Sequence, residues 1–414
     1  MRWGEATYGW LLWSQPYVAS SEPYLPAHDG QVLERLSLNA GDSEAREIRT
    51  LRTTLARDPR NLEVAAQLAA RYIEVGRSEG DPRLFGQTQA VLAPWWNEPA
   101  PPPQALLLRA TIRQQAHEFD PALADLDTVL RAQPTNAHAW LTKASLLQVQ
   151  GRYDEARQTC RPLARLAARH IALTCLSDIE GLTGQAARSQ ELLRWAASQS
   201  GVPDQERLWA LTALAELSAR TGQPHATETY FADTRRIGIK DQYLLGAYAD
   251  FLLDHSRPQE TISLLHNETR ADGLLLRLTL AEQELHLPVV KDHTAILTAR
   301  FAASRDRGSR IHLREEARFT LALLADPQRA IALAQANWAI QKEPWDARLL
   351  LESALAAGNR DAAKPVLDWI TTNHIDDTRL REWPLDCRTD LHDAGPASAR
   401  LSLTEYARLG AQAQ

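Results

Sequence analysis

The stretch PQALLLRATIRQQAHEFDPALADLDTVLRAQPTN, residues 103–136, is followed at once by AHAWLTKASLLQVQGRYDEARQTCRPLARLAARH, residues 137–170. A shift of 34 residues places the small, aromatic and apolar positions of the first block on those of the second. The shift pairs Leu106 with Trp140, Ala110 with Ala144, Phe119 with Tyr153, Ala122 with Ala156 and Leu126 with Cys160. A repeat of this length is typical of stacked helix-turn-helix units, so the sequence predicts an all-α solenoid.

Each block predicts two helices joined by a tight turn. In the second block, Trp140, Ala144 and Leu147 share one helical face. Gly151 follows that helix and can adopt the left-handed conformation that ends it. Pro162 falls inside the predicted second helix, where proline removes a backbone hydrogen bond and clashes with the preceding turn. We therefore expect that helix to kink or to end early.

These residues resemble the tetratricopeptide repeat family. The family pattern runs from a large residue through a small residue, a turn glycine and an aromatic residue to an alanine, and ends with a proline near the exit of the unit. Trp140, Ala144, Gly151, Tyr153 and Ala156 match it, and the preceding block matches at Leu106, Ala110, Phe119, Ala122 and Pro134, with His117 in place of the turn glycine. The resemblance covers most of residues 62–372 and implies a right-handed superhelical solenoid of about eight such units. As a whole, the chain resembles uncharacterised bacterial proteins of this family.

Composition and periodicity divide the rest of the chain. Residues 1–42 predict an irregular N-terminal arm or a degenerate signal segment, and residues 43–102 predict a degenerate helical repeat with a proline-rich loop. Within the latter, a helix is expected from Leu62 to Val75, with Gly76 as its C-cap. Residues 103–372 predict the solenoid, and residues 373–414 a C-terminal cap or tail.

The charge balance and the apolar runs exclude some partners. The chain has 46 Lys and Arg against 52 Asp and Glu, a net charge of −6, and phosphate binding needs clustered basic residues. No stretch approaches the roughly 18 apolar residues that suggest a membrane span. The sequence therefore predicts neither a nucleic-acid partner nor an integral membrane span.

The three cysteines, Cys160, Cys175 and Cys387, are too few and uneven for a disulfide framework. Cys160 and Cys175 fall on consecutive predicted helices and could pair, or they could be two small buried apolar residues.

The N-terminus leaves the location open. Arg2 precedes the apolar run 8–13, and residues 18–20, Val-Ala-Ser, resemble a cleavage site, which is the pattern of a signal peptide. The alternative is a loose, aromatic-rich arm. The sequence slightly favours the bacterial cytoplasm and leaves the periplasm as the alternative.

The sequence lacks the patterns of catalysis and metal binding. It has no glycine-rich phosphate loop, no nucleophile elbow and no paired-histidine zinc motif. His286 and His293 are separated by Pro288, so they do not share a helix face. The prediction is therefore no enzyme, no metal and no cofactor.

The resemblance implies that a protein or peptide partner lies on the concave surface formed by the first helix of each unit. In the two clear units, that surface carries Gln104, Leu107, Thr111, Gln114, His138, Leu141, Ser145 and Gln148. Family members that clamp a chaperone tail use Lys, Arg and Asn on this surface, and those residues are absent here. The predicted groove instead suits an extended or helical segment that is read by neutral hydrogen bonds and apolar contacts.

Two basic clusters and several tryptophans are further candidates for docking. Arg157, Arg161, Arg165 and Arg169 recur every four residues and would form one stripe on an unbroken helix, while Arg300, Arg305, Arg307 and Arg310 surround Gly308. Each cluster could dock an acidic partner or could be a solvated face. Trp95, Trp96 and Trp345 lie beside proline-containing turns, where they could anchor a partner or fill the core.

The leading functional prediction is a non-enzymatic scaffold or adaptor. The alternatives are an exported periplasmic or envelope assembly factor and a sensor module of a regulatory protein.

Overall fold

The computed structural model describes residue 28 and residues 43–381, and these residues form helices without any β-strand. Predictions for residues 1–27, 29–42 and 382–414 lie outside the described residues. The helices are α1 (Ser43–Arg57), α2 (Leu62–Glu79), α3 (Pro82–Val91), α4 (Ala93–Trp96), α5 (Pro103–Gln115), α6 (Phe119–Ala132), α7 (Ala137–Val149), α8 (Tyr153–Cys160), α9 (Leu163–Leu166), α10 (Arg169–Leu182), α11 (Ala186–Ser198), α12 (Asp204–Arg220), α13 (Pro224–Ile237), α14 (Gln242–Asp254), α15 (Pro258–Leu265), α16 (Asp272–Glu284), α17 (Val290–Asp306), α18 (Leu313–Ala322), α19 (Pro327–Trp338), α20 (Pro344–Ala356), a 3-10 turn (Arg360–Ala363), α21 (Lys364–Asn373) and α22 (Thr378–Arg381).

From α2 to α21 the described residues form nine consecutive helical hairpins, which we call units 1 to 9. Each unit has one left-handed residue in the turn between its two helices. These turn residues are Gly80, His117, Gly151, Gly184, Gly222, Ser256, His286, Ala325 and Gly358. A left-handed residue lets the chain reverse immediately after the first helix. The all-α solenoid predicted from the sequence is confirmed, and His117 does take the place of a turn glycine, with φ 57°.

Helix α2 differs from its prediction. It continues past Val75 to Glu79 and is capped by Gly80, which has φ 63°. Gly76 stays inside the helix, and a Cβ at this position would lie 3.3 Å from Cζ of Phe85. Gly76 therefore serves the close approach of α2 and α3, and the prediction of a cap at this residue is wrong.

Pro162 ends a regular helix, as expected. Helix α8 stops at Cys160, and the short helix α9 follows from Leu163 to Leu166. A disulfide joins Cys160 to Cys175 of α10, so the broken end of unit 3 is tied covalently to unit 4. Both cysteines are also buried in the core, at 2% and 4% exposed, and both readings of the sequence therefore hold.

The main hydrophobic core joins parts of the chain that are far apart in sequence. Apolar residues of segment 106–182 share one cluster with those of segment 317–380. Trp369 illustrates the contact, since its ring lies 5.3 Å from that of Trp338 at 89° and 6.4 Å from that of Tyr153. The array thus curls back until late units touch early ones.

Hydrogen bonds fix the position of this contact. The Lys342 N–H donates to the Val149 carbonyl oxygen at 2.7 Å, and the Tyr153 hydroxyl donates to the Lys342 carbonyl oxygen at 3.2 Å. A Cβ on Gly151 would lie 3.2 Å from Cδ of Lys342. The turn of unit 3 therefore packs directly against the segment that precedes unit 9.

Unit 1 makes the same kind of contact with units 6 and 7. The Gln242 side-chain amide donates to the Ser78 carbonyl oxygen at 3.2 Å, and Lys240 pairs with Glu79 at 3.3 Å. A Cβ on Gly80 would come within 2.8 Å of Cβ of Ala271. In both places a turn meets the start of units five or six places later, so the contacts repeat along the superhelix.

The segment after unit 9 continues along this path. The Asp376 N–H donates to the Leu182 carbonyl oxygen at 2.8 Å, and the Thr378 hydroxyl donates to the Arg220 carbonyl oxygen at 3.0 Å. Arg379 then pairs with Asp254 at 3.2 Å. Residues 376–379 therefore cover the turn ends of units 4, 5 and 6.

Candidate functional site

The structure places the eight predicted groove residues at different depths. Gln104 and His138 are exposed, whereas Leu107 and Leu141 pack against the main core. Thr111 is only 7% exposed, and its hydroxyl donates to the Leu107 carbonyl oxygen at 3.0 Å within its own helix. The remaining three are half-buried, namely Gln114, Ser145 and Gln148. The exposed polar groups, Gln104 and His138, occupy the same repeat position at the start of α5 and α7, so they lie along one edge of this predicted surface.

The turn residues extend the groove beyond the two clear units. Thr111 and Ser145 each lie six residues before their left-handed turn residue, and Asp178 and Glu216 occupy the same position in units 4 and 5. Tyr243 stands thirteen residues before Ser256, as His138 does before Gly151. Asp178, Glu216 and Tyr243 were not predicted, because they lie outside the two units in which the repeat is clear in the sequence. The spacing to each turn residue is the signal that finds them.

These side chains form one polar row, which we call the inner row: Gln148 of α7, Asp178 of α10, Glu216 of α12 and Tyr243 of α14. The Gln148 amide donates to Oδ2 of Asp178 at 3.1 Å, and the Tyr243 hydroxyl donates to Oε1 of Glu216 at 2.7 Å. Tyr243 is nevertheless 56% exposed to water. The inner row thus crosses four successive units.

Surrounding protein makes ionisation of this row costly. Burial, the main cause, raises the pKa of Glu216 to about 7, while the nearby Arg220 opposes the shift. Burial also raises the pKa of Asp178, and the charge of Glu343 adds to the rise at both carboxyls. Glu343 precedes α20 in unit 9, so its influence comes from the opposite side of the curve. The inner row therefore faces the inside of the superhelix, where water is present but protein lies on several sides.

Arg220 of α12 lies beside these carboxyl groups. The residue is 8% exposed, and its Nε is shielded from water without any hydrogen-bond partner. Its charge lowers the pKa of both Asp178 and Glu216, although it forms an ion pair with neither among the described residues. Buried polar groups usually have a partner, and the Nε of Arg220 lacks one, as do the Nε atoms of Arg113 and Arg277.

The first basic cluster does not form a single stripe. Arg157 lies on α8, Arg161 follows its end, Arg165 is on α9 and Arg169 begins α10. Arg157 pairs with Asp154 and also donates to the Thr183 hydroxyl at 2.6 Å. The break at Pro162 therefore separates the four guanidinium groups onto three helices and a connecting residue.

The second basic cluster is partly used inside the fold. Arg300 pairs with Asp272 at 3.0 Å and also donates to the Thr269 carbonyl oxygen. Arg305 pairs with Glu316, which is 3% exposed. Arg307 and Arg310 remain exposed beside Gly308.

The tryptophans near proline-containing turns mostly serve packing. Trp95 is 5% exposed. Two guanidinium groups lie over the ring of Trp345, with Arg318 at 4.6 Å and Arg348 at 4.5 Å from its centre. Arg109 lies 5.9 Å from the ring of Trp96. The ring of Trp345 thus already contacts two cations within the protein.

The described part of the chain contains no group of three or more His, Cys, Asp or Glu side chains placed to hold a metal ion. Within the same residues, no helix combines the length and the apolar character that crossing a bilayer requires.

Comparison with known proteins now bears on the repeats. Residues 114–173 match the family model described as "Tetratricopeptide repeat". No curated protein matches the chain.

Two solved structures are similar over larger spans. The first is the APC/C hetero-tetramer Cut9-Hcn1, at 16% identity and a TM-score of 0.37, over 75% of this chain and 52% of that one. The chain thus spans about half the length of that relative. The second is a tetratricopeptide repeat protein from Parabacteroides merdae, at 14% identity and a TM-score of 0.37, over 62% of this chain and 92% of that one.

Proposed function

Because the chain carries tetratricopeptide repeats, we propose that it is a non-enzymatic scaffold that binds a segment of a partner protein on its inner face. Such repeats generally mediate protein–protein interaction, and solenoids use extended concave surfaces for it. The observation that carries the proposal is Tyr243, which is 56% exposed on the inner row. Aromatic side chains are enriched at the centres of protein interfaces.

The polar part of the inner row supports the same proposal. Gln148 and Tyr243 each hold a carboxylate at hydrogen-bond distance, and His138 lies exposed on the same helix as Gln148. Hydrogen-bonding groups along successive units suit an extended segment, because its backbone presents a donor and an acceptor at almost every residue.

Site-specific photo-crosslinking in cells tests this proposal with the full chain. A photoreactive amino acid at His138 probes the inner face, and one at Glu191, an exposed residue on the outer helix α11, serves as the matched control. We expect a discrete protein adduct from His138 that is absent from Glu191. Adducts from Glu191 alone would contradict binding on the inner face, and no adduct from either position would contradict the scaffold itself.

The disulfide favours a second candidate, an exported periplasmic or envelope assembly factor. Disulfides persist in oxidising compartments and are rare in the cytosol, and here one joins Cys160 to Cys175. For this candidate, the native protein should be found in the periplasmic fraction. When it is denatured without reduction, alkylation should modify only one of its three cysteines. Three reactive thiols in a cytoplasmic fraction would exclude this candidate.

A further inference from the structure

We propose that Asp178 and Glu216 together bind a lysine or arginine side chain of the partner segment, an inference that rests on the proposed scaffold function. The two carboxylates lie at the same repeat position in adjacent units and face the interior of the curve.

Neither of these carboxylates has an ion-pair partner among the described residues. Other inward acidic residues are neutralised within the fold, as Asp250 is by Arg277 and Arg318, both at 2.6 Å. Among the described residues, Asp178 and Glu216 form no ion pair and accept only from Gln148 and Tyr243. A partly enclosed carboxylate without an ion-pair partner is stabilised strongly by a charged donor.

The second, independent argument is Arg220. Its side chain is more than nine-tenths buried beside both carboxylates, and its Nε has no acceptor. An acceptor brought by the ligand would complete it. A bare metal ion would satisfy the carboxylates but not this donor, whereas a peptide brings a basic side chain together with backbone carbonyl oxygens.

The charges around the site also point to one added cation. Asp178, Glu216 and Arg220 sum to one negative charge when both carboxyl groups are ionised. The neighbouring Glu343 is already paired with Arg314 at 2.7 Å. One lysine or arginine side chain therefore neutralises the site, and the exposed ring of Tyr243 provides a face for its aliphatic stem.

Selection from a display library of random twelve-residue peptides tests the proposal with the full chain. The native protein is compared with the isosteric variant D178N/E216Q and with a matched control, E191Q/D306N, which neutralises two exposed carboxylates elsewhere. The native protein and the control should select peptides with a lysine or arginine fixed at one position. The variant should still select peptides but without that preference.

A synthetic peptide from the selection then measures how much the basic side chain contributes to the binding affinity. Replacing its fixed lysine by norleucine should weaken binding to the native protein about tenfold, and to D178N/E216Q less than about threefold. Peptides selected without a basic preference, or with an acidic one, would overturn this inference and leave the scaffold proposal intact. Failure of the native protein to select any peptide would instead count against the scaffold proposal. If the double variant does not fold, the two single variants replace it.

Discussion

The hydroxyl of Tyr153 donates a hydrogen bond to the backbone carbonyl oxygen of Lys342 across 189 positions of sequence. In the repeat pattern, this aromatic position closes the end of its own hairpin. Here its hydroxyl also bonds unit 3 to the segment before unit 9. A residue expected to act locally therefore holds two turns of the superhelix together.

Tyr153→Phe should weaken this fastening without disturbing the hairpin. Loss of one buried hydrogen bond costs about 1 kcal/mol in the free energy of unfolding. Hydrogen exchange at the Lys342 amide, which donates to Val149, should become faster. Tyr248→Phe is the matched control, because that hydroxyl bonds to Glu228 of the adjacent helix. Equal exchange at Lys342 in both variants would contradict a specific role for Tyr153.

At the left-handed turn residues, removing a side-chain methyl group should stabilise the protein and adding one should destabilise it. Ala325 has φ 53° and Gly358 has φ 64°, a region that residues with a Cβ occupy at a cost. Ala325→Gly should stabilise the protein by about 0.5–1 kcal/mol, and Gly358→Ala should destabilise it by about 1 kcal/mol or more. Chemical denaturation followed by circular dichroism measures both, and the same sign for the two variants would refute the argument.

Gly151→Ala should be more harmful than Gly358→Ala. Both residues have positive φ, so the backbone strain is shared. A Cβ at Gly358 meets nothing within 4 Å, whereas at Gly151 it lies 3.3 Å from Nε1 of Trp369 and 3.2 Å from Cδ of Lys342. We expect an additional loss of about 1–3 kcal/mol, as for overpacking of a core. If both variants lost the same free energy of unfolding, the side chains around Gly151 would accommodate the added methyl group without cost, which would contradict this prediction.

Asp250→Ala should be among the most destabilising single changes. Asp250 is 2% exposed and neutralises Arg277 and Arg318 from two later units. Its removal leaves two enclosed guanidinium groups without their ion-pair partner, at a cost of about 3–5 kcal/mol. Asp368→Ala removes an exposed pair with Lys364 and should cost less than about 1 kcal/mol. Similar midpoints of unfolding for the two variants would contradict this prediction.

Glu216 gives the stability a distinct pH dependence. Its pKa in the folded protein, about 7, is above the ordinary value of 4.5, so folding favours the neutral form. The stabilisation is complete below pH 4.5 and is lost as the pH rises through 7. Arg220 and Tyr243 oppose this shift, while Asp178 and Glu343 support it.

The measurement compares the native protein with Glu216→Gln. Because all other titrating groups are common to both, the native free energy of unfolding minus that of the variant should fall between pH 5 and pH 8. A difference that stays constant or rises over this range would show that the folded protein does not raise the pKa of Glu216.

The sequence predicts the local structure well, because helix ends are encoded by nearby residues. Pro162 predicts the end of α8, and the repeat pattern places His117 at the turn position that Gly151 holds in the next unit. The cap predicted at Gly76 is wrong because a glycine can serve close helix packing as well as a cap. The contact with Phe85 on the next helix, which distinguishes the two roles, cannot be read from the local sequence.

The candidate site was less accessible to sequence reasoning. Four turns are made by His117, Ser256, His286 and Ala325, which do not announce a left-handed conformation as glycine does. The repeat position of Tyr243 depends on the turn at Ser256, whereas those of Asp178 and Glu216 follow from Gly184 and Gly222. The proximity of Glu343 to Glu216 depends on how far the superhelix curls, which no local pattern encodes.

The contacts between turns also bear on how such a gene can change. In an open array, duplication or loss of one repeat adds or removes a module and leaves the other interfaces as they were. Here the Val149–Lys342 and Ser78–Gln242 hydrogen bonds join units that are five or six places apart. Gain or loss of a single unit between units 3 and 6 would misalign both contacts. We therefore expect descendants to keep the number of repeats between these anchors and to vary in length in the loops.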